Sequence, residues 1–464
     1  MKFGTSGLRG LVTELNDDVC YSYTQAFIDS LKNDTRSIVI SHDLRPSSPR
    51  IAKACYNAAV NFGLDVIYGG AIPTPALAYY GQVKQLPSIM VTGSHIPFDR
   101  NGLKFYTESG EITKEEETRI VSNYKECEAV LNFELPNVDD DLYSAYLARY
   151  TRFFKENALI NLKIGVYQHS SVARDLMAEL FSSFGALVIP LGRSNDFVPV
   201  DTEAVSDLDY EQAAKWAREY NFDFLVSTDG DSDRPMLADE NGFWFRGDVL
   251  GMLAANYIDA NVVVTPVSTT SLLEKSDLFK KVIRTKIGSP YVIEAMKGLS
   301  TDRVVGFEAN GGFLLGSDLT MENRILTNLK TRDAILPLLV VMSMAKSRNL
   351  KGSQLLNEFP SIYTASNRIE NFDNIWSMKL ITDLVVKNDK IFEFCPDYLK
   401  EINLVDTTDG CRFYFTNGDI VHLRASGNAP ELRCYTESDS IERAKELNNF
   451  VLGKIGNTFQ PNIS

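Results

Sequence analysis

Residues 37–68, SIVISHDLRPSSPRIAKACYNAAVNFGLDVIY, decide how this chain folds. The β-branched run at 37–41 reads as a strand that leads into a polar loop. Ile51, Cys55, Ala58 and Phe62 then recur at helical spacing, and 65–68 is a second apolar run, which together make a β-α-β unit. The pattern returns at 163–167, with Val172, Leu176, Leu180 and Phe184 on one helical face before the run at 187–189. Even the joints match. Phe62-Gly63 and Phe184-Gly185 each close a helix with glycine where a left-handed turn is needed. A third copy starts at Val262-Val263-Val264, passes a Ser/Thr loop and a Leu-containing segment, and reaches Val282-Ile283, so three α/β repeats stand in one chain.

Each repeat is followed by an apolar run ending in a polar loop. Ile89-Met90-Val91 precedes Thr92-Gly93-Ser94-His95, Phe224-Leu225-Val226 precedes the acidic stretch 229–233, and Val304-Val305 precedes 308–312. Ligands of open α/β sheets bind at the carboxyl ends of strands, so chemistry is expected at these loops. Short strands at 413–415, 420–423 and 432–435 and a helix at about 441–451 predict a smaller C-terminal α+β domain. The expected architecture is α/β, with mixed-sheet domains at 1–145, 146–250 and 251–366, and the α+β domain at 367–464.

The length of 464 residues suits three or four domains of roughly 100–150 residues. With 47 Lys+Arg against 61 Asp+Glu, the net charge of -14 argues against nucleic acid or a membrane surface as partner. Any anionic ligand must then be held by a local cluster of bases. No run of about eighteen apolar residues occurs and MKFGTSGLRG lacks a secretion-signal pattern, so a cytoplasmic protein is expected. Six scattered cysteines without C-x-x-C suggest neither a disulfide framework nor a thiolate zinc site, and four distant histidines show no ligand spacing.

The sharpest chemical signal is Asp229-Gly230-Asp231-Ser232-Asp233-Arg234. Alternate carboxylates at one loop tip converge on a hard divalent cation, and three of them leave positions open for Mg2+ to meet a phosphate. An EF-hand fails here, because its sixth position would be Arg234 rather than Gly and a strand precedes the loop. Gly93 and Pro97 flank Ser94 and present its hydroxyl at a sheet edge. In an extended segment His95 would point away from Ser94, so it is not cast as the serine's base; a loop-ordering hydrogen bond competes with a catalytic role. Lys104 reads as a cation or acid/base for the same cleft, or as a solvated lysine. The stretch 424–430 with Arg433 offers arginine forks, a hydroxyl and an amide fit for a phosphate, or a plain hairpin turn. The glycine-rich stretch 4–10, ending on Arg9 and Gly10, allows backbone approach to an anion.

In this order the motifs resemble the α-D-phosphohexomutase superfamily, over essentially the whole chain: 5–10 for T-S-G-x-R-G, 92–104 for the active-site serine loop, 229–234 for the metal loop, 307–312 for the sugar loop and 424–430 for the phosphate loop. The resemblance implies four domains in a heart-shaped molecule around a central cleft. It implies a phosphorylated Ser94, Mg2+ held by Asp229, Asp231, Asp233 and the phosphoserine, and catalytic roles for Ser94, Lys104 and Arg9. Substrate contacts implied are Thr5, Ser6, His95, Arg234, Lys286, Ser289, Glu308, Asn310, Arg424, Ser426, Gly427, Asn428 and Arg433. It further implies a phosphosugar substrate, a hexose 1,6-bisphosphate activator that keeps Ser94 phosphorylated, and a monomer or homodimer. Ile96, Asn310, Gly312 and Asn428-Ala429 depart from the superfamily's Asn, Ser, His and Thr-Glu. The sugar loop looks more like that of mannose-specific bacterial members than of glucosamine-specific ones. A phosphoserine-dependent phosphatase and a silent scaffold of the same fold are the rival readings.

Overall fold

The computed structural model describes residues 2–4, 7–32, 34–299, 303–426 and 430–459. Its three repeats share one topology. Ser37–His42 lies between Asp65–Ala71 and Ser88–Val91, parallel to both, and Arg100–Thr107 returns antiparallel to Ser88–Val91. Lys163–His169 sits likewise between Leu187–Arg193 and Phe224–Thr228, with Pro235–Ala238 as the antiparallel return. Val262–Pro266 sits between Lys281–Thr285 and Val304–Phe307, with Phe313–Leu315 returning. Strand order therefore reverses at the central strand of each sheet, and the loop leaving the third strand opens at the carboxyl edge. Those loops, at 92–99, 229–234 and 308–312, are the polar stretches singled out above.

Local sequence explains these elements. The helix Ser48–Phe62 starts with proline in its first turn and stops at Gly63, whose φ of 96° is the left-handed conformation that glycine adopts without a Cβ penalty. Gly185, at φ 85°, repeats the device after the helix Arg174–Ser183. One hydrophobic core runs without a break through residues of all three repeats, from Val39 and Tyr80 through Leu176 and Leu253 to Leu339. No helix among the described residues is long and apolar enough to cross a membrane.

The last sheet is wholly antiparallel, in the order Tyr363–Ile369, Leu432–Ser438, Ile420–Ala425, Cys411–Phe415, Ile402–Asp406, and the helix Ile441–Phe459 packs on its first two strands. Its core is separate from the other three domains. Polar contacts dock it instead. Ser271 donates from its amide and hydroxyl to Glu437, which also accepts Arg412 Nη2 at 2.6 Å, and Asp409 Oδ2 accepts the Ile287 amide at 2.9 Å. The Arg412–Glu437 pair itself lies within the C-terminal domain, and Arg412 Nη1 reaches out from it to the Val267 carbonyl of the third domain.

The expected domain limits fall inside elements. The 145/146 limit lies within the helix Asp141–Thr151, 250/251 within Gly247–Tyr257, and 366/367 within Tyr363–Ile369. The last limit falls in a half-exposed edge strand, YTASNRI, which has little apolar alternation to betray it. We place the joints instead near 140, 246 and 362.

His422, buried in the C-terminal sheet, donates from Nε2 to the Asp409 carbonyl at 2.7 Å, while its buried Nδ1 has no hydrogen-bond partner among the described residues. Burial first, then Arg412, pushes it down to about 4. The unfolded chain therefore binds one more proton than the folded chain between pH about 6.5 and about 4, and stability falls as pH falls through that window. His422→Gln should remove about 2 kcal/mol of the destabilisation between about pH 7 and about pH 5, read from denaturant midpoints of both proteins at each pH.

Candidate active site

The serine loop is built from below by Asp43 and Arg45, which leave the end of Ser37–His42. Arg45 donates to three carbonyls of the loop, Ser94 at 2.8 Å, Ile96 at 2.5 Å and Pro97 at 2.7 Å, and to that of Arg100 just beyond it, and its guanidinium lies 4.0 Å over the Phe197 ring. Asp43 Oδ2 accepts the Thr92 hydroxyl at 2.8 Å, and that hydroxyl in turn accepts the Ser94 amide at 2.8 Å. A Cβ on Gly93 would sit 2.6 Å from Arg45 Cζ, so this network needs glycine there. The network holds Ser94 at φ 53°, a strained conformation for a residue with a Cβ. The loop is thus turned rather than extended, because the side chains of Asp43, Arg45 and Thr92 outbid strand pairing for its backbone groups.

Ser94 is fully buried and its Oγ donates to Asp229 Oδ2 at 2.6 Å. His95 faces Arg234 instead. Its Nδ1 accepts Arg234 Nη1 at 2.9 Å, and because a guanidinium can only donate, the ring is neutral. Burial, then the charges of Arg234 and Arg9, keeps it well below its ordinary range. The role its contact supports is loop ordering.

Asp229, Asp231 and Asp233 are buried, with one ligand atom of each within 4.8 Å of the others. Their oxygens divide. Asp231 Oδ2 accepts Thr74 Oγ1 at 2.5 Å and Lys104 Nζ at 2.6 Å; Asp233 Oδ2 accepts Lys104 Nζ and Arg332 Nη2, both at 2.7 Å. The Oδ1 atoms of Asp231 and Asp233 have no hydrogen-bond partner among the described residues. Buried lone pairs left unmatched are costly, and two such oxygens beside a third carboxylate fit a divalent cation that takes hard oxygen ligands. Burial, then Asp231 and Asp233, raises the Asp229 carboxyl well above its ordinary value. Lys104 is 4% exposed, so it is no solvated lysine; burial opposes its charge, but Asp231 and Asp233 outweigh burial and raise it. Arg9 is pushed down to about 10 by burial, then by Arg234 and Arg332, and still carries charge at neutral pH.

The sugar-loop candidates stand beside this cluster. Glu308 Oε2 accepts Arg332 Nη1 at 3.0 Å, Asn310 Oδ1 accepts the Gly312 amide at 2.9 Å, and the Asn310 carbonyl accepts Thr202 Oγ1 at 2.7 Å. In the C-terminal domain Arg424 Nε donates to Asp409 at 3.0 Å, Arg433 Nη2 to Glu431 at 3.3 Å, and the Ser426 amide to the Glu431 carbonyl at 2.9 Å. Lys286 is exposed, whereas Ser289 is buried at the head of Ser289–Met296 with its hydroxyl on Glu111 at 3.0 Å, turned toward the first domain. Thr5, Ser6, Gly427 and Asn428 lie outside the described residues.

Profiles of phosphoglucomutase/phosphomannomutase domains match in order along the chain: alpha/beta/alpha domain I over residues 1–130, domain II over 141–242, domain III over 246–363 and the C-terminal domain over 379–454. The chain belongs to the phosphoglucomutase/phosphomannomutase family. A phosphomannomutase of Salmonella muenchen is 44% identical over 98% of this chain and 95% of that one. A phosphomannomutase of Sinorhizobium fredii (strain NBRC 101917 / NGR234) is 41% identical over 96% and 97%. A crystal structure of a phosphoglucomutase/phosphomannomutase family protein from Burkholderia thailandensis superposes with a TM-score of 0.74 over 99% of this chain and 98% of that one, at 19% identity, which extends the likeness of fold.

As a phosphohexomutase-family isomerase, the chain uses residues that its motifs did not announce. Arg45 and Asp43 shape the serine loop, Thr74 holds Asp231, Arg332 joins Asp233 to Glu308, and half-buried Glu203 sets its charge against Arg433, Arg246 and Arg234. Only Arg45 left a hint in sequence, as an arginine in the polar loop after the first strand of the repeat.

Proposed function

We propose that this protein is a phosphomannomutase, interconverting mannose 1-phosphate and mannose 6-phosphate through a phosphoserine at Ser94 and a hexose 1,6-bisphosphate, with glucose 1-phosphate as a slower substrate. The observation that carries the reading is the Ser94 hydroxyl bonded to Asp229 within a buried three-carboxylate cluster in which Oδ1 of Asp231 and of Asp233 make no hydrogen bond among the described residues. Asp229, Asp231 and Asp233 are the residues that would hold Mg2+. When bound there, Mg2+ supplies positive charge to the transferring phosphoryl group.

The chain's own groups do the rest. Arg45 fixes the Ser94 carbonyl and so the direction of the hydroxyl. The phosphoryl group moves from Ser94 to a sugar hydroxyl, and Arg9, Lys104 and Arg234 face the charge spread over its equatorial oxygens. The bisphosphate must then turn end for end, so Arg424, Ser426 and Arg433 grip whichever phosphate is not reacting, while Glu308 and Asn310 hold ring hydroxyls common to both poses. A firm grip on the C2 hydroxyl in one pose would be lost in the other, so discrimination between mannose and glucose rests on about one neutral hydrogen bond, or roughly a decade in kcat/KM.

A coupled assay with mannose 1-phosphate, glucose 1-phosphate and glucosamine 1-phosphate tests this. Mannose 1-phosphate is expected to be best, with glucose 1-phosphate about ten-fold slower in kcat/KM; a preference for glucosamine 1-phosphate would refute the assignment. Arg424→Ala should raise KM for all accepted phosphosugars by a similar factor, about ten-fold or more, because a guanidinium on phosphate reads the common group. Initial-rate kinetics on two sugars check it, and an effect confined to one would put Arg424 against the ring.

A further inference from the structure

Arg332 lies on the strand Leu329–Asp333, outside all the loops that sequence singles out. Its two neighbours are tied to other parts of the molecule. The Thr331 hydroxyl donates to Glu111 at 2.9 Å, and Asp333 accepts the Tyr146 hydroxyl at 2.8 Å while capping the amide of Ile335 at 2.9 Å. The arginine is thereby presented from a fixed backbone. Its side chain is 3% exposed and crosses directly above Gly312, where a Cβ would lie 2.4 Å from Arg332 Cδ and 2.8 Å from Cγ. Gly312, a departure in the sugar loop, is what opens that path. Beyond it the guanidinium forks: Nε and Nη2 reach Asp233 Oδ2 at 3.1 and 2.7 Å, and Nη1 reaches Glu308 Oε2 at 3.0 Å.

We propose that Arg332 is a positioning residue for this reaction, which sets the Glu308 carboxylate for the sugar by bracing it against Asp233, and that Gly312 serves to admit it. A guanidinium suits the task because its planar fork holds two carboxylates at once, which a lysine ammonium does not do with fixed geometry. The bond to Asp233 occupies Oδ2 and leaves Oδ1 without a hydrogen bond, so sugar loop and metal loop share one strut. The inference rests on the phosphohexomutase reading of the site.

Four proteins test it: the parent, Arg332→Ala, Gly312→Ala and the double variant, each measured for KM and kcat with mannose 1-phosphate and for Mn2+ binding by calorimetry without sugar. Arg332→Ala is expected to raise KM about ten-fold or more. Mn2+ binding should be retained or tightened, since a cation has been removed from beside the carboxylates. Gly312→Ala keeps every charged group yet displaces the arginine stem, so it should reproduce the KM effect, and the double variant should be little worse than Arg332→Ala alone. Unchanged KM in Arg332→Ala, equal weakening of Mn2+ and sugar, or fully additive single effects would overturn the proposal. Should Arg332→Ala not fold, Gly312→Ala with its KM and Mn2+ readings decides alone. A parent that turns over no phosphosugar would instead defeat the functional reading, a different result from an active parent indifferent to Arg332.

Discussion

Ser94→Ala is expected to lose mutase turnover by at least about four orders of magnitude while the protein stays folded. The hydroxyl is the proposed carrier of the phosphoryl group, and its neighbours in the loop are otherwise engaged. His95 is engaged with Arg234, and the adjacent Thr92 hydroxyl is committed to Asp43 and to the Ser94 amide. The methyl of alanine occupies the same space, and the backbone of the loop is held by Arg45 rather than by the serine side chain. The local cost is one hydrogen bond to Asp229, about 1–3 kcal/mol for a buried carboxylate. Stopped-time assays on the variant and its melting curve give the two halves of this expectation.

The second large effect concerns the carboxylate cluster. Chelation of the parent with EDTA should bring turnover to background, and adding back Mg2+ at about 100 times its Kd should raise stability by about 2.7 kcal/mol, seen as a higher Tm. Asp231→Asn should lower kcat/KM by about a hundred-fold or more and shift the Mg2+ titration to higher concentration. The substitution removes one charge from the site, and whichever way the amide turns, its NH2 meets either the cation or the donors of Lys104 and Thr74, which now share Asp231 Oδ2. Activity of the parent undiminished by EDTA would contradict the metal reading.

The parts of the molecule that were legible in sequence are those whose physics is local. The three repeats announce themselves because buried central strands such as Val262–Pro266 are continuous apolar runs, and because Gly63 and Gly185 mark the helix ends. The loops of the candidate site were legible because Thr92 to His95 and Asp229 to Arg234 each pack their polar groups into a few consecutive residues. What sequence hid is single residues that act across domains. Thr74 meets Asp231 from 157 positions away and Arg332 meets Asp233 from 99, with no spacing rule to connect them. Lys104 reads equally as surface or site until two carboxylates from another domain close over it. The expected 145/146 limit falls within the helix Asp141–Thr151 for a related reason: Tyr146 and Tyr150 of that helix are held by Asp333, far along the chain.

Phosphorus NMR of the purified protein with mannose 1-phosphate, Mg2+ and a trace of hexose 1,6-bisphosphate tests the central claim most directly. The account predicts that the 1-phosphate signal falls as a mannose 6-phosphate signal rises, with no inorganic phosphate, and that Ser94→Ala leaves the spectrum unchanged; release of inorganic phosphate, or isomerisation that survives Ser94→Ala, would contradict it.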